Sequence, residues 1–509
     1  MAIDDLIFLE ILQGFRSDKD YEMAKKTFYW HDYETFGIDP SRDRPVQFAG
    51  IRTDENLNII GQPLDIVAKP ANDFLPNPQA CLVTGITPQQ ALEKGMPESE
   101  FIKIIHQELS TPNTCTVGYN NLRFDDEFTR FSFFRNFYDP YAREWQNGNS
   151  RWDLIDVVRI THALRPKGIN WPINDEGRVS FRLEELSQAN GISHQHAHDA
   201  LSDVYATIAL GQLIKKAQPR LFDFCLGLSN KHKVAELLSL SNPKPLLHVS
   251  GMYPSQYGHC ALVYPLMAHP TNKNGIIVYD LRHNPAVLAD LSADEISERL
   301  YTSSIELQEK GLERVALKTV HLNKCPALAP ISTLDEQTAQ RLEMDLNEHK
   351  RHMLILQESS GLFPKLEIVF QGKFDNKEKV DPDQSLYKGG FLSRNDKEKC
   401  QTITQLSREQ LMAYEANFSE PRLDELLFRY KARNYPELLN NEEKHAWDKY
   451  RFHRLTHEDG QASIKLDEYQ QELNHLEQEE LTPRAKEIVD KLKHYPQLIG
   501  LDAVGPDEN

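Results

Sequence analysis

The segment TFYWHDYETFG, residues 27–37, alternates aromatic and polar side chains as a β-strand with one buried face does. It carries two carboxylates, Asp32 and Glu34, two positions apart. Side chains two apart on a strand point to the same face, so both acids project together. Phe36 and the aromatic run at 28–30 would bury the strand around them. Two carboxylates side by side on a buried strand lose hydration and repel each other, which is costly unless a cation compensates. A solvated strand end with two acids is the other reading, and this triplet alone does not decide between them.

Working outward, PVQFAGIRTDENLNIIG and LDIVAK extend the alternation into a three-strand meander, with turn signals at 54–56 and at Gly61. Helical periodicity follows in SEFIKIIHQELS, in FDDEFTRFSFFRNF after the short strand CTVGYN, in DLIDVVRITHAL and in RLEELSQAN, which Gly191 ends. DALSDVYATIALGQLIKK closes the region, and strands followed by interleaved helices predict an α/β or α+β domain to about residue 215. LLHVS, CALVYPLMA, GIIVYDL and VALKTVHLN then read as strands of a small β-rich domain with a helical insertion at ADEISERLYTSSIEL. QGKFDNKEKVDPDQSLYKGGF reads as a loop or linker. From about Ser407 the pattern is helical, and the last helix takes Thr482 as N-cap and Pro483 as its first residue. The first 26 residues read as an extension.

At 509 residues, two to four domains are expected. No apolar run approaches the ~20 residues of a membrane span, and six cysteines without CxxC spacing suit a reduced, cytoplasmic chain with no zinc site. A net charge of −18 weighs against a protein that coats duplex nucleic acid. It weighs little against an enzyme, because a groove needs only local positive potential and clustered metal-binding acids themselves add negative charge.

Two further elements join Asp32 and Glu34. In GYNNLRFDDEF, Asp125 falls at a helix start, where an acid is also favoured by the helix dipole; Asp126 and Glu127 are expected as first-turn acids on the solvent side. In HQHAHDALSDVYATIAL, Asp203 lies inside an amphipathic helix. His198, five residues earlier, is about 140° away on an ideal helix, so it must precede the helix on the approaching turn, with Asp199 as cap. A histidine on a turn beside a fixed carboxylate suits a general base. A transition-metal cluster of His194, His196 and His198 is the alternative, but the all-oxygen character of the other ligands favours Mg²⁺ or Mn²⁺.

The order Asp-x-Glu, Asn120 to Asp125, then His198 to Asp203 resembles the DEDDh branch of 3'-to-5' exonucleases. HDYETFGIDP, GYNNLRFDDEF, RNFYDPYAREW, NSRWDLIDVVR, ALRPKGINWP, SFRLEEL, AHDALSDVYATIA, HVSGM, NKCPALA and LLFRYKARNYP are, in that order, similar to the bacterial exonuclease I family. The resemblance implies an α/β multidomain fold: an RNase H-like nuclease domain at 27–216, an SH3-like domain at 217–372, a linker at 373–402 and a helical C-terminal domain at 403–505. It implies processive removal of 5'-mononucleotides from the 3' end of single-stranded DNA, with two Mg²⁺ ions (Mn²⁺ substituting) held by Asp32, Glu34, Asp125 and Asp203, and His198 as base. Substrate contacts are expected from Glu34, Thr35, Phe36 and Arg182, and along the channel from Arg130, Tyr141, Trp145 and Arg159. Arg182 also reads as a surface ion-pair arginine, and LLFRYKARNYP as either a groove wall or an ordinary helix with a basic face. Expected partners are single-stranded DNA and the tail of single-stranded DNA-binding protein, with Arg165 and Lys244 as docking positions, on a monomer without membrane association. A polymerase-type proofreader, a DEDDh ribonuclease and a non-catalytic binding protein on the same fold are the rival readings.

Overall fold

The computed structural model describes residues 26–194, 199–372 and 380–501. Strands β1 (Thr27–Thr35), β2 (Pro45–Thr53) and β3 (Ile59–Val67) form the antiparallel meander expected. β4 (Thr114–Gly118) lies parallel to β1 on its other side, giving the order β3-β2-β1-β4. Asp54 builds the β2–β3 turn by accepting from the amides of Asn56 and Asn58. Gly61, in contrast, is not a turn. It lies inside β3 at φ 79°, where the β2–β3 register shifts between Gly50 and Arg52, so the glycine serves a bulge.

Contacts divide the described chain into two units. One holds residues up to 150, His194–Tyr205 and those beyond 377; the other holds 151–193 and 206–376. This division cuts across the expected 27–216 span. Strand β5 (Ser150–Asp153) leads into the second unit, where the helix Leu154–Leu164 packs on a second sheet.

In the first unit, Tyr29 and Tyr33 on one face of β1 join Phe48 and the helix Glu98–Leu109. Phe101, Ile102, Ile105 and Leu109 make one stripe on that helix and bury it against the sheet. Phe36, Val46, Phe74 and Leu75 pack against Tyr469, Leu473, Leu492 and Tyr495, so the helices Leu466–Leu476 and Pro483–Leu498 complete the same core. Thr482 caps the last helix by accepting from the Ala485 amide, and Pro483 follows at its first position. The segment expected as linker to 402 is helical over Arg394–Ile403, because Ser393 caps it through the Asp396 amide.

On the helix Pro421–Asn434, Arg429 is buried and the Arg433 side chain is only 3 % exposed, so neither guanidinium forms a groove wall. Arg433 donates to Asp73 at 2.7 Å and to Asp383 at 2.6 Å; Arg429 reaches Asp381 at 2.8 Å and Asp383 at 3.0 Å. The alternation of basic and aromatic residues thus marks an internal ion network that ties this helix to the loops at 73 and 381–383.

The second unit, taken by itself, is built on the all-antiparallel sheet β10-β6-β7-β8-β9. Its strands are β6 (Leu246–Val249), β7 (Cys260–Ala268), β8 (Gly275–Asp280), β9 (Leu317–His321) and β10 (Ala327–Pro330). Four match the expected runs, while β10 is short and ends in proline. The insertion is two helices, Ala293–Tyr301 and Ser304–Glu309, because Ser303 starts a new capping box.

Burial alone would raise the Asp73 carboxyl, but Arg433, Arg454 and Arg44 outweigh it and hold it down at about 2. Asp383 is lowered in the same way, burial being outweighed by Arg433 and Arg429. An acid depressed on folding adds stability above its unfolded value of ~3.9 and loses it as pH falls through the folded value. Urea unfolding is therefore expected to show stability falling steeply from about pH 4 toward pH 2. Arg433→Ala is expected to cost about 3–5 kcal/mol at neutral pH, since it leaves buried carboxylates uncompensated.

Candidate active site

On β1, Asp32 and Glu34 project from the face opposite Tyr29 and Tyr33. Their register partners on β2 are Ala49 and Gln47, so a small and a polar side chain flank the acids. The β1–β4 pairing runs from Thr27↔Thr114 to Trp30↔Val117 and ends there. Beyond that point the Tyr33 amide has lost its strand neighbour on the β4 side, and it donates instead to Asp125 Oδ1 at 3.1 Å. The turn that makes this possible starts at Gly118, where an added Cβ would lie 2.7 Å from the Asn121 Cβ, and passes through Asn120 at φ 66°. Asp125 opens the helix Asp125–Arg135 and is buried.

Asp203 comes from the first turn of the helix Ala200–Ala217. Asp199 caps that helix, as expected, by accepting from the Ser202 amide at 3.2 Å. One oxygen each of Asp32, Glu34 and Asp203 fall within 4.8 Å of one another, the single such grouping of potential metal ligands among the described residues. Burial raises Asp32 well above the usual carboxylate range, and Asp125, Glu34, Asp203 and Asp199 add to it in that order. Glu34 is pushed up to about 8, first by burial and then by Asp203, Asp125 and Asp199. The five acids therefore form a single electrostatic cluster around Asp32 and Glu34. All its donors are carboxylate oxygens, the set that hard divalent cations take.

Other positions fall out differently. His198 and His196 lie outside the described residues. His194 places Nε2 2.5 Å from Asp203 Oδ1, a contact that sequence spacing did not single out. Gln47 was also missed; its amide donates to Asp65 at 2.9 Å and to Asp199 at 3.3 Å, bridging two acids beside Glu34. Asp126 is not a solvent-side acid: it is fully buried and pairs with Arg143 at 2.5 Å. Glu127 pairs with Arg130 at 2.6 Å and accepts from the Tyr387 hydroxyl. Arg130 is in turn spent on Glu144 at 2.7 Å and lies over the Tyr141 ring, which leaves it little free for phosphate. The Thr35 hydroxyl is buried and donates to the Gly37 carbonyl, and Phe36 is 1 % exposed within the core, so its ring offers no face to a nucleotide. Trp145, at 67 % exposure, does present its ring to solvent.

In the second unit, Arg159 pairs with Asp156 at 2.8 Å, and Arg182 is an exposed arginine 3.6 Å from Glu185. Arg165 donates to the Thr333 carbonyl, and Lys244 is exposed. Near the acids, a crevice of about 750 Å³ is lined by Gln47 and Asp199 together with Val67, Leu82, Ile86 and Arg484. A cavity of similar size, about 780 Å³, is lined by Phe134, Tyr138, Tyr141, Tyr387 and Phe391 and contains none of the carboxylates.

Comparison with known proteins places this geometry in context. Residues 29–210 match an exonuclease family model, residues 229–372 the exonuclease I SH3-like domain and residues 380–499 the exonuclease I C-terminal domain. Exodeoxyribonuclease I of Haemophilus influenzae is 47% identical over 431 residues, covering 84% of this chain and 90% of that protein. Escherichia coli exonuclease I in complex with a dA16 oligonucleotide superposes with a TM-score of 0.89 at 44% identity, over 93% of this chain and 100% of that one. A structure of SSB with exonuclease I and an inhibitor gives 0.84 at 43% identity, over 93% and 100%.

Burial and the neighbouring acids favour the protonated forms of Asp32 and Glu34, so a divalent cation binding among these carboxylates would displace protons. Titrating metal-free protein with Mn²⁺ at pH 7 in buffers of different ionisation enthalpy is expected to reveal proton release, with apparent affinity rising as the pH is raised. Heats that do not depend on the buffer would contradict this.

Proposed function

The chain belongs to the exonuclease I family, and on that premise we propose that it degrades single-stranded DNA from the 3' end by divalent-metal hydrolysis at Asp32, Glu34, Asp125 and Asp203. The observation that supports the site assignment is the grouping of Asp32 and Glu34 from β1 with Asp203 of the Ala200–Ala217 helix, with Asp125 tied to the Tyr33 amide and acting electrostatically on Asp32. No packing argument calls for mutually repelling carboxylates in a half-buried cluster, whereas a pair of cations does.

Divalent cations such as Mg²⁺, when bound by these carboxylates, would supply Lewis-acid stabilisation of the attacking and leaving oxygens of the displacement. The chain's own residues do the rest. Asp32, buried and acted on by Asp125, Glu34, Asp203 and Asp199, would be among the residues that hold the metal. Asp125 is held to β1 by the Tyr33 amide, which fixes the distance between two ligands far apart in sequence. Glu34 stands at the Gln47 side of the site, where the crevice lined by Gln47 and Asp199 can seat the last nucleotide with its 3'-hydroxyl toward Glu34. His198, read from its spacing to Asp203, takes the proton from the attacking water. Water attacks phosphorus, the bond to the 3'-oxygen of the penultimate nucleotide breaks, and that oxygen leaves with a proton, freeing a 5'-mononucleotide.

Complexes of related proteins extend the reading: a dA16 oligonucleotide bound to the Escherichia coli enzyme, and SSB in a complex with exonuclease I. For this chain we take both as partners, with Arg165 and Lys244 as candidate contacts for SSB and the exposed Trp145 as a stacking platform for DNA bases, at about 1–3 kcal/mol per stacked base. Among the described residues no helix is long and apolar enough to cross a membrane.

End-labelled single- and double-stranded DNA and RNA, with Mg²⁺ or with EDTA, test the assignment. Only single-stranded DNA with an open 3' end is expected to shorten, and only with metal. Asp125→Ala and Asp203→Ala are each expected to lower the rate roughly a thousandfold, the several kcal/mol that misplacing a catalytic metal costs. Equal loss of RNA, or activity on a 3'-blocked strand, would refute the substrate assignment.

A further inference from the structure

His194 stands outside the acid cluster yet holds one of its members. Its Nε2 lies 2.5 Å from Asp203 Oδ1, and its side chain is only 5 % exposed. Its nitrogens do not belong to the group of Asp32, Glu34 and Asp203 oxygens that fall within 4.8 Å of one another, so it is not placed as a ligand. An Asp203 ionised to hold metal can only accept, which makes His194 Nε2 the donor of this bond in the metal-binding state. Nδ1, also buried, has no hydrogen-bond partner among the described residues, so the ring's one strong polar contact is Asp203.

The two residues are nine apart, with the helix cap Asp199 between them. Asp203 sits on a helix whose backbone sets where its carboxylate starts but not how the carboxylate plane turns about its terminal torsion. A buried N–H donor on one oxygen fixes that plane, in a carboxylate that also groups with Asp32 and Glu34. Donors of this kind orient metal-binding carboxylates elsewhere, and their loss typically costs 10–100-fold in metal affinity.

We propose that His194 is a positioning residue that orients Asp203 for the metal site, acting through the carboxylate and not on the reacting water. This rests on Asp203 being a metal ligand. The division of labour assigns His198 the proton and His194 the geometry.

The test is Mn²⁺ binding to the metal-free full-length protein, by calorimetry or by the electron-spin resonance of free Mn²⁺, for wild type, H194A, H194Q, D203A and H194A/D203A. The expected result is Mn²⁺ affinity weakened about tenfold in H194A. Most of that loss should be restored in H194Q, which keeps an N–H donor, and H194A should add nothing in the D203A background. The Mn²⁺ concentration for half-maximal digestion of single-stranded DNA should rise in H194A in the same proportion. Unchanged Mn²⁺ affinity in H194A overturns the proposal, whether thermal stability falls (a packing role) or the turnover rate falls without rescue by H194Q (a proton-transfer role). Equal, additive losses in the double variant overturn it too. Wild-type affinity in D203A would instead sink the premise that Asp203 binds metal, which is a separate failure.

Discussion

The hydrogen bond from the Tyr33 amide to the Asp125 carboxylate joins stretches 92 residues apart, and the active site depends on it. A parallel partner strand would have taken that amide, but β4 stops short at Gly118. A buried amide without an acceptor is costly, so the strand edge calls for one, and the helix that follows β4 supplies it. The same carboxylate that meets this backbone demand acts electrostatically on Asp32. Local hydrogen-bond satisfaction and assembly of the acid cluster are thereby one event.

Around that centre the first unit is stiffened by charge as well as by apolar packing. Arg433, Arg429 and Arg454 lie buried against Asp73, Asp381 and Asp383, and Arg143 against Asp126. Such pairs are weak evidence for net stability, since each ion has lost its water, but removing one partner is severe. They therefore specify which loop meets which helix more than they strengthen the meeting. With the C-terminal helices sharing the Phe36–Val46 core, the region after residue 380 belongs to the same folded unit as β1.

What could be read from sequence followed the range of the interactions. The two acids on β1, the helix start at Asp125 and the cap at Asp199 obey rules that span two to four residues, and periodicity exposes such rules directly. The SH3-like strands were legible for the same reason, with β10 escaping because four residues ending in proline carry little pattern. Asp126 and Glu127 looked like solvated first-turn acids because their cations, Arg143 and Arg130, are identified only by the fold. Arg429 and Arg433 looked like a basic face because a helix pattern does not say whether carboxylates wait opposite. His194 was overshadowed by His198, whose spacing to Asp203 fits a known motif. The contact His194 makes depends on the path of the chain before the helix, which spacing alone does not fix. Gly61 was a turn by composition and a bulge in fact, since a glycine at positive φ serves either, and only the pairing of β2 with β3 distinguishes them.

That bulge has its own consequence. β3 is an outer strand of its sheet, and its first residues, Ile59 and Ile60, are apolar and 46 % and 39 % exposed. A flat ribbon of this kind would offer its free amides and carbonyls to the same ribbon of a neighbouring molecule, the first step of fibril growth. The extra residues around Gly61 break the repeat just after the two isoleucines, and Asp65 puts a charge on the stretch beyond. A second molecule laid along this border would find its bonding pattern out of step within a few residues, which works against edge-to-edge pairing along β3.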